Sequence, residues 1–289
     1  MATNLENTTN SISNNMGETV GNLTHTEPMD VRYGWYGMFG TILFFQVLNK
    51  LVTYVGSPSF VHNKPNEFWK FRNLFISWVH AFIAGTWTLY SALAYPEYRQ
   101  DLIAFVEPGA YALVTFTTGY FLYDTGDLIV NNRVLKQWEV AFHHAAVTSM
   151  FFYNMATSRC IGYNVYALMA EVNSFFLHTR KLLQMCHVRF DHWSYKINAV
   201  LNIVTFVVFR GLSLGTITMG MITPGERYRV STIYWYTLCG SMFVMWGINP
   251  ILFWRLLKND FLRKDYQQVK TDDQGLKNGI ANNNIKKID

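Results

Sequence analysis

Charged residues are scarce in this chain of 289 residues, because Lys, Arg, Asp and Glu together make up only 15% of it. Hydrophobic residues make up 50%, and they are gathered into long runs instead of being spread along amphipathic faces. A run of about 20 apolar residues is long enough to cross a bilayer as a helix. The composition therefore predicts an all-α fold, a polytopic membrane helix bundle, and gives no sign of a soluble catalytic module.

Cysteine is also rare. The three cysteines, Cys160, Cys186 and Cys239, lie in or beside different apolar runs. They have neither a paired spacing nor the spacing of metal ligands, and no His-x3-His pattern supports a metal site elsewhere. We therefore expect three free thiols and no bound metal.

Long apolar segments define the organisation of the chain. Seven of them are long enough to span a membrane, at residues 35–55, 73–94, 110–130, 138–156, 161–180, 197–219 and 232–256. They predict a transmembrane domain over residues 34–257. The polar ends, residues 1–33 and 258–289, cannot bury a core and are expected to be disordered.

Basic residues set the predicted orientation. They follow the first, third, fifth and seventh segments, as Lys64, Lys70, Arg72, Arg133, Lys136, Arg180, Lys181, Arg189, Lys196 and Arg255. The positive-inside rule then places the N-terminus outside and the tail in the cytosol. Glycosylation sequons at Asn7 and Asn22 agree with this orientation. Because the net charge of +5 marks the ends of spans and forms no single basic face, nucleic-acid binding is not indicated.

The last four residues are Lys286, Lys287, Ile288 and Asp289, which form a dilysine ending. Such an ending on a cytosolic tail is a signal for the COP coat, which returns membrane proteins to the endoplasmic reticulum. A Lys-rich tail also matches so short a pattern by chance.

Polar side chains inside the predicted spans crowd the half predicted to be cytosolic. At 1.5 Å per residue, Asp124, Asp127, His143 and His144 lie about 5 to 10 Å from the ends of their spans. Others at comparable depth are His80, Glu171, Ser174, His178, Asn198, Asn202 and Asn249. Membrane helices also use such groups as interhelical hydrogen bonds, so single Asn residues and His80 have a structural interpretation as well. Arg210 requires a partner in the bilayer, and Glu171 lies at a matching depth.

Two adjacent histidines are harder to explain by packing, because neighbours on a helix point about 100° apart. His143 or His144 is a candidate base or nucleophile for acyl transfer to a lipid headgroup, oriented by Asp127 or Glu171. In this interpretation Trp138 and Phe142 line the acyl entrance. The remaining candidates for substrate binding are Asp124, Ser174, His178 and Asn202. In the alternative interpretation, the same polar layer recognises a lipid without turnover.

Three stretches of the chain resemble the TLC domain, a membrane family that includes ceramide synthases and TRAM proteins. They are Gly119-Tyr-Phe-Leu-Tyr-Asp-Thr-Gly-Asp127, Trp138-Glu-Val-Ala-Phe-His-His144 and Leu168-Met-Ala-Glu-Val-Asn-Ser-Phe-Phe-Leu-His-Thr-Arg180. The likeness covers about residues 70–256 and is strongest to the branch of TLC domain-containing proteins one and two. That branch implies a plasma-membrane or endoplasmic-reticulum protein that adjusts phospholipid acyl composition and membrane fluidity, and limits the incorporation of polyunsaturated chains.

The resemblance also shows where this chain departs from ceramide synthases. Their His-His-x-x-Thr pattern is kept at His143 and His144, but Val147 replaces the Thr. The positions of their downstream His-Asp-x-x-Asp, Glu and Lys signature hold Ala170, Glu171, Ser174, His178 and Lys181. The Lys is retained and Glu171 keeps one of the two carboxylates, but the other positions differ. We therefore do not expect ceramide synthase activity.

The leading hypothesis is a lipid-handling membrane protein without a resident cofactor, with acyl-CoA or a phospholipid as the acyl donor if it is an enzyme. Membrane lipids are its expected partners, and the sequence leaves its oligomeric state open. The alternatives are a seven-span receptor, suggested by Asn249-Pro250 in the last span, and an accessory subunit of a channel or translocon. The receptor hypothesis lacks an Asp-Arg-Tyr-like triplet after the third span.

Overall fold

The computed structural model describes residues 29–56, 58, 65–223 and 225–262, and within these ranges it contains helices and turns but no strand. The predicted all-α fold is therefore confirmed. The predicted glycosylation sites Asn7 and Asn22, and the dilysine pair Lys286 and Lys287, lie outside the described residues.

Each of the predicted membrane segments is helical over most of its length. The helices are α1 (Val31–Val55), α2 (Pro65–Ala94), α3 (Pro108–Val130), α4 (Trp138–Thr157), α5 (Ile161–Leu168), α6 (Ala170–Met185), α7 (Trp193–Thr205), α8 (Gly211–Ile222), α9 (Glu226–Arg229) and α10 (Thr232–Leu257). Judged by length and composition alone, three of the described helical segments could cross a membrane: Val31–Val55, Trp193–Ile222 and Thr232–Asp260. The number of crossings and the orientation stay predictions.

Capping residues fix where two of the long helices begin. The Asp30 side chain accepts a hydrogen bond from the backbone N–H of Arg32, so α1 begins at Val31, earlier than residue 35 where the sequence placed its first span. At the start of α3, Glu107 accepts from the backbone N–H groups of Gly109 and Ala110 at 2.8 and 2.7 Å, and Pro108 fills the first position. These local bonds replace water at the helix ends.

The fifth predicted span, residues 161–180, is broken at Met169 into α5 and α6. The backbone N–H of Met169 bonds to the carbonyl of Tyr166 at 3.3 Å, which is a tighter turn than an α-helix makes. The carbonyl of Val165 instead accepts a hydrogen bond of 2.7 Å from the Thr88 hydroxyl on α2. A side chain from a neighbouring helix thus takes part in the break, which sequence periodicity does not reveal.

A second irregularity interrupts the sixth predicted span. Phe206–Arg210 forms a π-helical turn between α7 and α8. Such π-helical turns are rare overall, but those that occur are often found at functional sites. Here the turn ends at Arg210, the basic residue that lies in the middle of the apolar segment.

Close packing of α1 against α3 depends on Gly119. A Cβ atom at this position would lie 2.5 Å from the carbonyl oxygen of Met38 and 2.7 Å from the Cβ of Thr41, both on α1. Buried residues around this contact, including Met38, Tyr111, Val114 and Met155, form the largest hydrophobic cluster. Glycine therefore sets the distance between these two helices.

The described residues divide into two compact units, one that ends at Val244 and one that begins at Met245. In the second unit, the Asn249 side chain donates a 2.8 Å hydrogen bond to the carbonyl of Met245, one turn back in its own helix. Pro250 follows within α10 and has no backbone N–H to donate. The helix continues through it to Leu257.

Replacing Gly119 by Ala is expected to destabilise the protein by about 1 to 3 kcal/mol, because the added methyl group overlaps Met38 and Thr41. Gly126, on the same helix, is the matched control, since a Cβ there meets nothing within 4 Å. Thermal unfolding of both variants in detergent micelles measures the difference. An equal shift for the two substitutions would contradict the proposed close approach.

An ion pair joins two connections outside the predicted spans. Arg229 on α9 lies 2.6 Å from Asp101 and 2.9 Å from Glu226. Burial of the Asp101 carboxyl acts to raise its pKa, but the hydrogen bonds from Arg229 and from the backbone of Ala104 and Ile103 outweigh burial and lower it. The folded protein therefore stabilises the charged form of Asp101.

Because the pKa of Asp101 is lowered on folding, its contribution to stability is present above the pKa of unfolded Asp, about 3.9, and is lost as the pH falls through the lower folded value. Asp101→Asn is expected to reduce stability near neutral pH by no more than about 1 kcal/mol, since Arg229 is 37% exposed and solvent screens the pair. Unfolding midpoints of the variant and the wild type should begin to converge as the pH falls below about 4 and should meet below the folded pKa of Asp101. A difference between them that does not depend on pH would contradict this assignment.

Candidate functional site: a buried histidine and carboxylate layer

His144 and Asp124 form the centre of the site. The Nδ1 atom of His144 on α4 lies 3.2 Å from Oδ2 of Asp124 on α3, and the two side chains are only 8% and 3% exposed. The distance is that of an ion pair, although the ring N–H is not aligned as in an ideal hydrogen bond. The other carboxylate oxygen, Oδ1, accepts a 2.6 Å hydrogen bond from Nδ2 of Asn73 on α2. Three helices therefore meet at one carboxylate.

An aromatic ring packs against both adjacent histidines. The Phe121 ring centroid lies 5.1 Å from that of His144 and 6.4 Å from that of His143. The two imidazole centroids are 5.6 Å apart, and their planes are inclined by 52°. His144 is buried while His143 is partly exposed, so one imidazole lies against a carboxylate and the other is the more accessible of the two.

A second histidine and carboxylate pair lies in the same buried layer. Nδ1 of His80 on α2 is 3.8 Å from Oε2 of Glu171 on α6. The His80 ring is stacked on Tyr120, with centroids 3.7 Å apart and planes within 8° of parallel. Its Nε2 atom is buried without a hydrogen-bond partner. His80 is thus held by ring stacking on one side and a carboxylate on the other.

Arg210 is held by side chains of α6. Its Nε atom donates a 2.7 Å hydrogen bond to Asn173 Oδ1, and Nη2 donates to the Ser174 hydroxyl at 3.2 Å. Glu171 lies within electrostatic range of the guanidinium, as the sequence predicted from their depth. The charge of Arg210 is therefore balanced by a carboxylate in the same layer.

The amide of Asn173 continues this network to α7. Its Nδ2 atom donates to the backbone carbonyl of Asn202 at 2.8 Å and to the side-chain oxygen of Asn202 at 2.9 Å. Asn202 is fully buried. Its observed contact is therefore an interhelical bond, whereas the sequence listed it as a candidate for substrate binding.

His178 lies one turn after Ser174 on α6, close enough to Arg210 and His144 to interact electrostatically with both. Its Nδ1 atom is buried and has no hydrogen-bond partner. Together with Nε2 of His80, it leaves the layer with imidazole nitrogens that the protein itself does not satisfy. Unsatisfied buried polar atoms carry a free-energy cost that a bound polar ligand removes.

Asp127 has a different environment from Asp124. Its Oδ2 accepts a 2.9 Å hydrogen bond from Nε1 of Trp69, and its Oδ1 lies 3.4 Å from Nη2 of Arg72. Asn131 also donates to Oδ1, at 3.1 Å. The sequence assigned the orienting role to Asp127 or Glu171. In the structure, Asp124 is the carboxylate beside His144.

Trp138 and Phe142 lie on the outer face of α4. Their side chains are 54% and 60% exposed, and their rings meet edge to face with centroids 6.2 Å apart. This face of α4 is on the outside of the helix bundle. The two rings are therefore placed to contact lipid chains beside the helix that carries His143 and His144.

Comparison with known proteins identifies the family. The family model described as TLC domain, of the TRAM, LAG1 and CLN8 group, matches residues 70–258. The chain belongs to the TLC domain family. No solved structure matches it.

Relatives of this TLC domain protein cover most of its length. TLC domain-containing protein 2 of Danio rerio is 33% identical over 217 residues, which are 74% of this chain and 86% of the relative. TLC domain-containing protein 1 of Mus musculus is 27% identical over 234 residues, 81% of this chain and 93% of the relative. TLC domain-containing protein 1 of Homo sapiens is 27% identical over 224 residues. Family membership and the apolar helices identify a membrane protein with a lipid-related role.

The positions at which this TLC domain departs from the ceramide synthase pattern have other contacts here. Val147 packs against the hydrophobic clusters, where a hydroxyl would need a partner. Ser174 accepts a hydrogen bond from Arg210. Among the residues that the structure describes, no group of three or more His, Cys, Asp or Glu side chains is arranged to hold a metal ion.

Three residues of the TLC domain site were missed by sequence reasoning. Asn73 binds Asp124, Asn173 binds Arg210, and Tyr120 stacks on His80. Asn73 had a recognisable signal, because it shares a helix face with His80, seven residues later. Tyr120 and Asn173 gave none, since aromatic and amide residues are common within membrane helices.

A double-mutant cycle measures the contact between His144 and Asp124. Substituting both by Ala, singly and together, should give an interaction free energy of about 0.5 to 2 kcal/mol in unfolding experiments. The cycle between His144 and Asp127 is the control and should be additive, because Asp127 binds Trp69, Arg72 and Asn131. Equal interaction energies in the two cycles would contradict the geometry.

Proposed function

We propose that this protein adjusts the acyl composition of membrane phospholipids by acyl transfer at the His144 and Asp124 pair, and that it thereby regulates membrane fluidity. One observation carries this proposal: an imidazole lies 3.2 Å from a carboxylate that Asn73 holds in place, within a buried layer of a TLC domain. A carboxylate in this position orients the imidazole and stabilises the cation that forms when the ring takes a proton, which suits acyl exchange. The names of the relatives add only that they carry the same domain.

Asp124 has two roles in this mechanism. With Nδ1 of the imidazole 3.2 Å from the carboxylate, Nε2 is left as the basic atom, and the carboxylate stabilises the cation that forms on protonation. Asn73 occupies the second carboxylate oxygen, so Asp124 cannot turn away from the ring without losing a hydrogen bond. The pair is therefore preorganised before substrate arrives.

The reaction exchanges one acyl bond for another. The imidazole takes the proton of a lysophospholipid hydroxyl while the hydroxyl oxygen forms a bond to the acyl carbonyl carbon. The bond from that carbon to the old oxygen or sulfur then breaks, and the imidazolium returns the proton to the departing group. The acyl donor is acyl-CoA or another phospholipid. Atoms and charge balance without an oxidant, a reductant or a metal ion.

Burial supports transfer to a lipid in preference to hydrolysis. His144 and Asp124 are less than a tenth exposed, and Phe121 packs against both histidines. Exclusion of water suppresses attack on the acyl carbonyl by water and strengthens the pairing of charges. A preference among acyl chains would then limit the incorporation of polyunsaturated chains.

Lipid binding without turnover is the second candidate function. It is favoured by Ala170 and Ser174, which stand where ceramide synthases have His and Asp. Arg210 is held by hydrogen bonds to Asn173 and Ser174, and the nearby carboxylate of Glu171 balances its charge, which suits recognition of a polar group without chemistry. In that case the protein senses phospholipids of the plasma membrane or the endoplasmic reticulum.

Replacing His143 and His144 together by Ala should abolish the effect of the protein on phospholipid acyl chains, because both interpretations of the site require the imidazoles. Lipidomics of cells that express the wild type, the double variant or no protein provides the measurement. His187→Asn is the matched control, since His187 is exposed and has a positive φ of 57° that Asn tolerates. An unchanged acyl effect in the double variant would refute this function.

The two candidate functions are separated with purified protein and labelled acyl donors. Acyl transfer predicts a labelled phospholipid product that disappears in His144→Ala and falls strongly in Asp124→Asn. Lipid sensing predicts binding without product in the wild type. An accessory subunit of a channel or translocon would copurify with partners and would be indifferent to both substitutions.

A further inference from the structure

At one end of the bundle, next to the buried layer, one arginine lies over an indole and a second lies against the carboxylate that the indole binds. The guanidinium carbon of Arg133 lies 4.9 Å from the ring centroid of Trp69. The indole Nε1 of Trp69 binds Asp127, and Asp127 in turn lies 3.4 Å from Arg72. We refer to Trp69, Arg72, Asp127 and Arg133 as the arginine cluster. It draws on α2, on α3 and on the turn that follows α3.

The arginine cluster has an excess of positive charge. It contains two guanidinium groups but one carboxylate, and the nearby Glu67 and Lys70 pair with each other at 2.8 Å. The Nε atoms of both Arg72 and Arg133 are buried and have no hydrogen-bond partner. Donors of this kind, beside a surplus positive charge, fit an anion with several acceptor oxygens.

Its position relative to the candidate site is also specific. Asp127 follows Asp124 by three residues on α3, which is about 4.5 Å along the helix axis. The arginine cluster lies toward the end of α3 that the sequence predicts to be cytosolic, where phospholipid headgroups would be. The His144 and Asp124 pair lies deeper, on the side of the acyl chains.

We propose that the arginine cluster binds the phosphate of a glycerophospholipid, whose ester groups then reach the level of His144 and Asp124. This inference rests on the proposed function, to which it adds the headgroup phosphate as the group that is recognised and the residues that bind it. Arginine binds phosphate through paired N–H groups, and Trp side chains are enriched at the level of the headgroups. Asp127 holds Arg72 and Trp69 in position and leaves one positive charge for the phosphate.

A phosphate could equally come from a soluble molecule, such as coenzyme A or inorganic phosphate. The depth of the cluster favours the lipid. Asp127 lies in the third predicted span and contacts Trp69 and Arg72, which directly precede the second predicted span, so the cluster is expected at the level of the headgroups. A lipid also presents its phosphate and its ester groups at a fixed separation. The soluble alternatives are therefore treated as competing outcomes of the test.

The test compares two lipids with the same fluorescent acyl chains, a phosphatidylglycerol and a diacylglycerol, bound to purified full-length protein in detergent micelles. The wild type should prefer the lipid that carries phosphate. Arg133→Gln should weaken binding of the phosphatidylglycerol by roughly tenfold, the size of one lost charge-assisted hydrogen bond, and leave diacylglycerol binding unchanged. Lys136→Gln is the matched control, since it removes the same charge from an exposed position three residues later.

Retained diacylglycerol binding and an unchanged helical spectrum show that the Arg133→Gln variant is folded, and Arg133→Lys should restore only part of the preference. An equal loss in Arg133→Gln and Lys136→Gln would overturn the inference, as would displacement of the lipid by coenzyme A or inorganic phosphate.

His144→Ala should keep the preference for the phosphate lipid. If it keeps that preference and also changes the cellular acyl profile as the wild type does, the proposed function fails while the phosphate site stands. If instead Arg133→Gln binds like wild type and His144→Ala loses the acyl effect, only the phosphate site fails.

Discussion

An ionisable side chain within a bilayer has to find its partners inside the protein, because the lipid chains around it offer none. Asp124 meets this requirement with Asn73 on one carboxylate oxygen and His144 on the other. These contacts fix α2, α3 and α4 at a common depth. The position of His143, the stacking of Phe121 and the proposed chemistry all depend on that single buried carboxylate.

Irregular backbone brings the remaining polar groups to the same layer. The break at Met169 starts a new helix whose first turn carries Glu171, and the π-helical turn ends at Arg210. Both irregularities lie where apolar periodicity alone would continue a helix. Breaks of this kind are tolerated at membrane depth when neighbouring side chains satisfy the freed groups, as Thr88 does for Val165.

Much of the helical organisation is readable from the sequence, because long apolar runs have one stable conformation in a membrane. The electrostatic pairing of Glu171 with Arg210 followed from their spacing and charge. The choice of Asp124 over Asp127 did not, since both lie on one helix and only the neighbouring helices distinguish them. Met169 is similar, because its break depends on a hydroxyl from a distant part of the chain.

The proposed function requires phospholipid acyl chains to reach the buried histidine layer. A phospholipid with a photoactivatable group beside its ester and a clickable tag, incorporated into cells and cross-linked in the membrane, tests it directly. Mass spectrometry of the labelled protein should find adducts on the segments that surround Asp124 and His144. Adducts confined to outward residues such as Trp138 and Phe142, with none in those two segments, would contradict the claim.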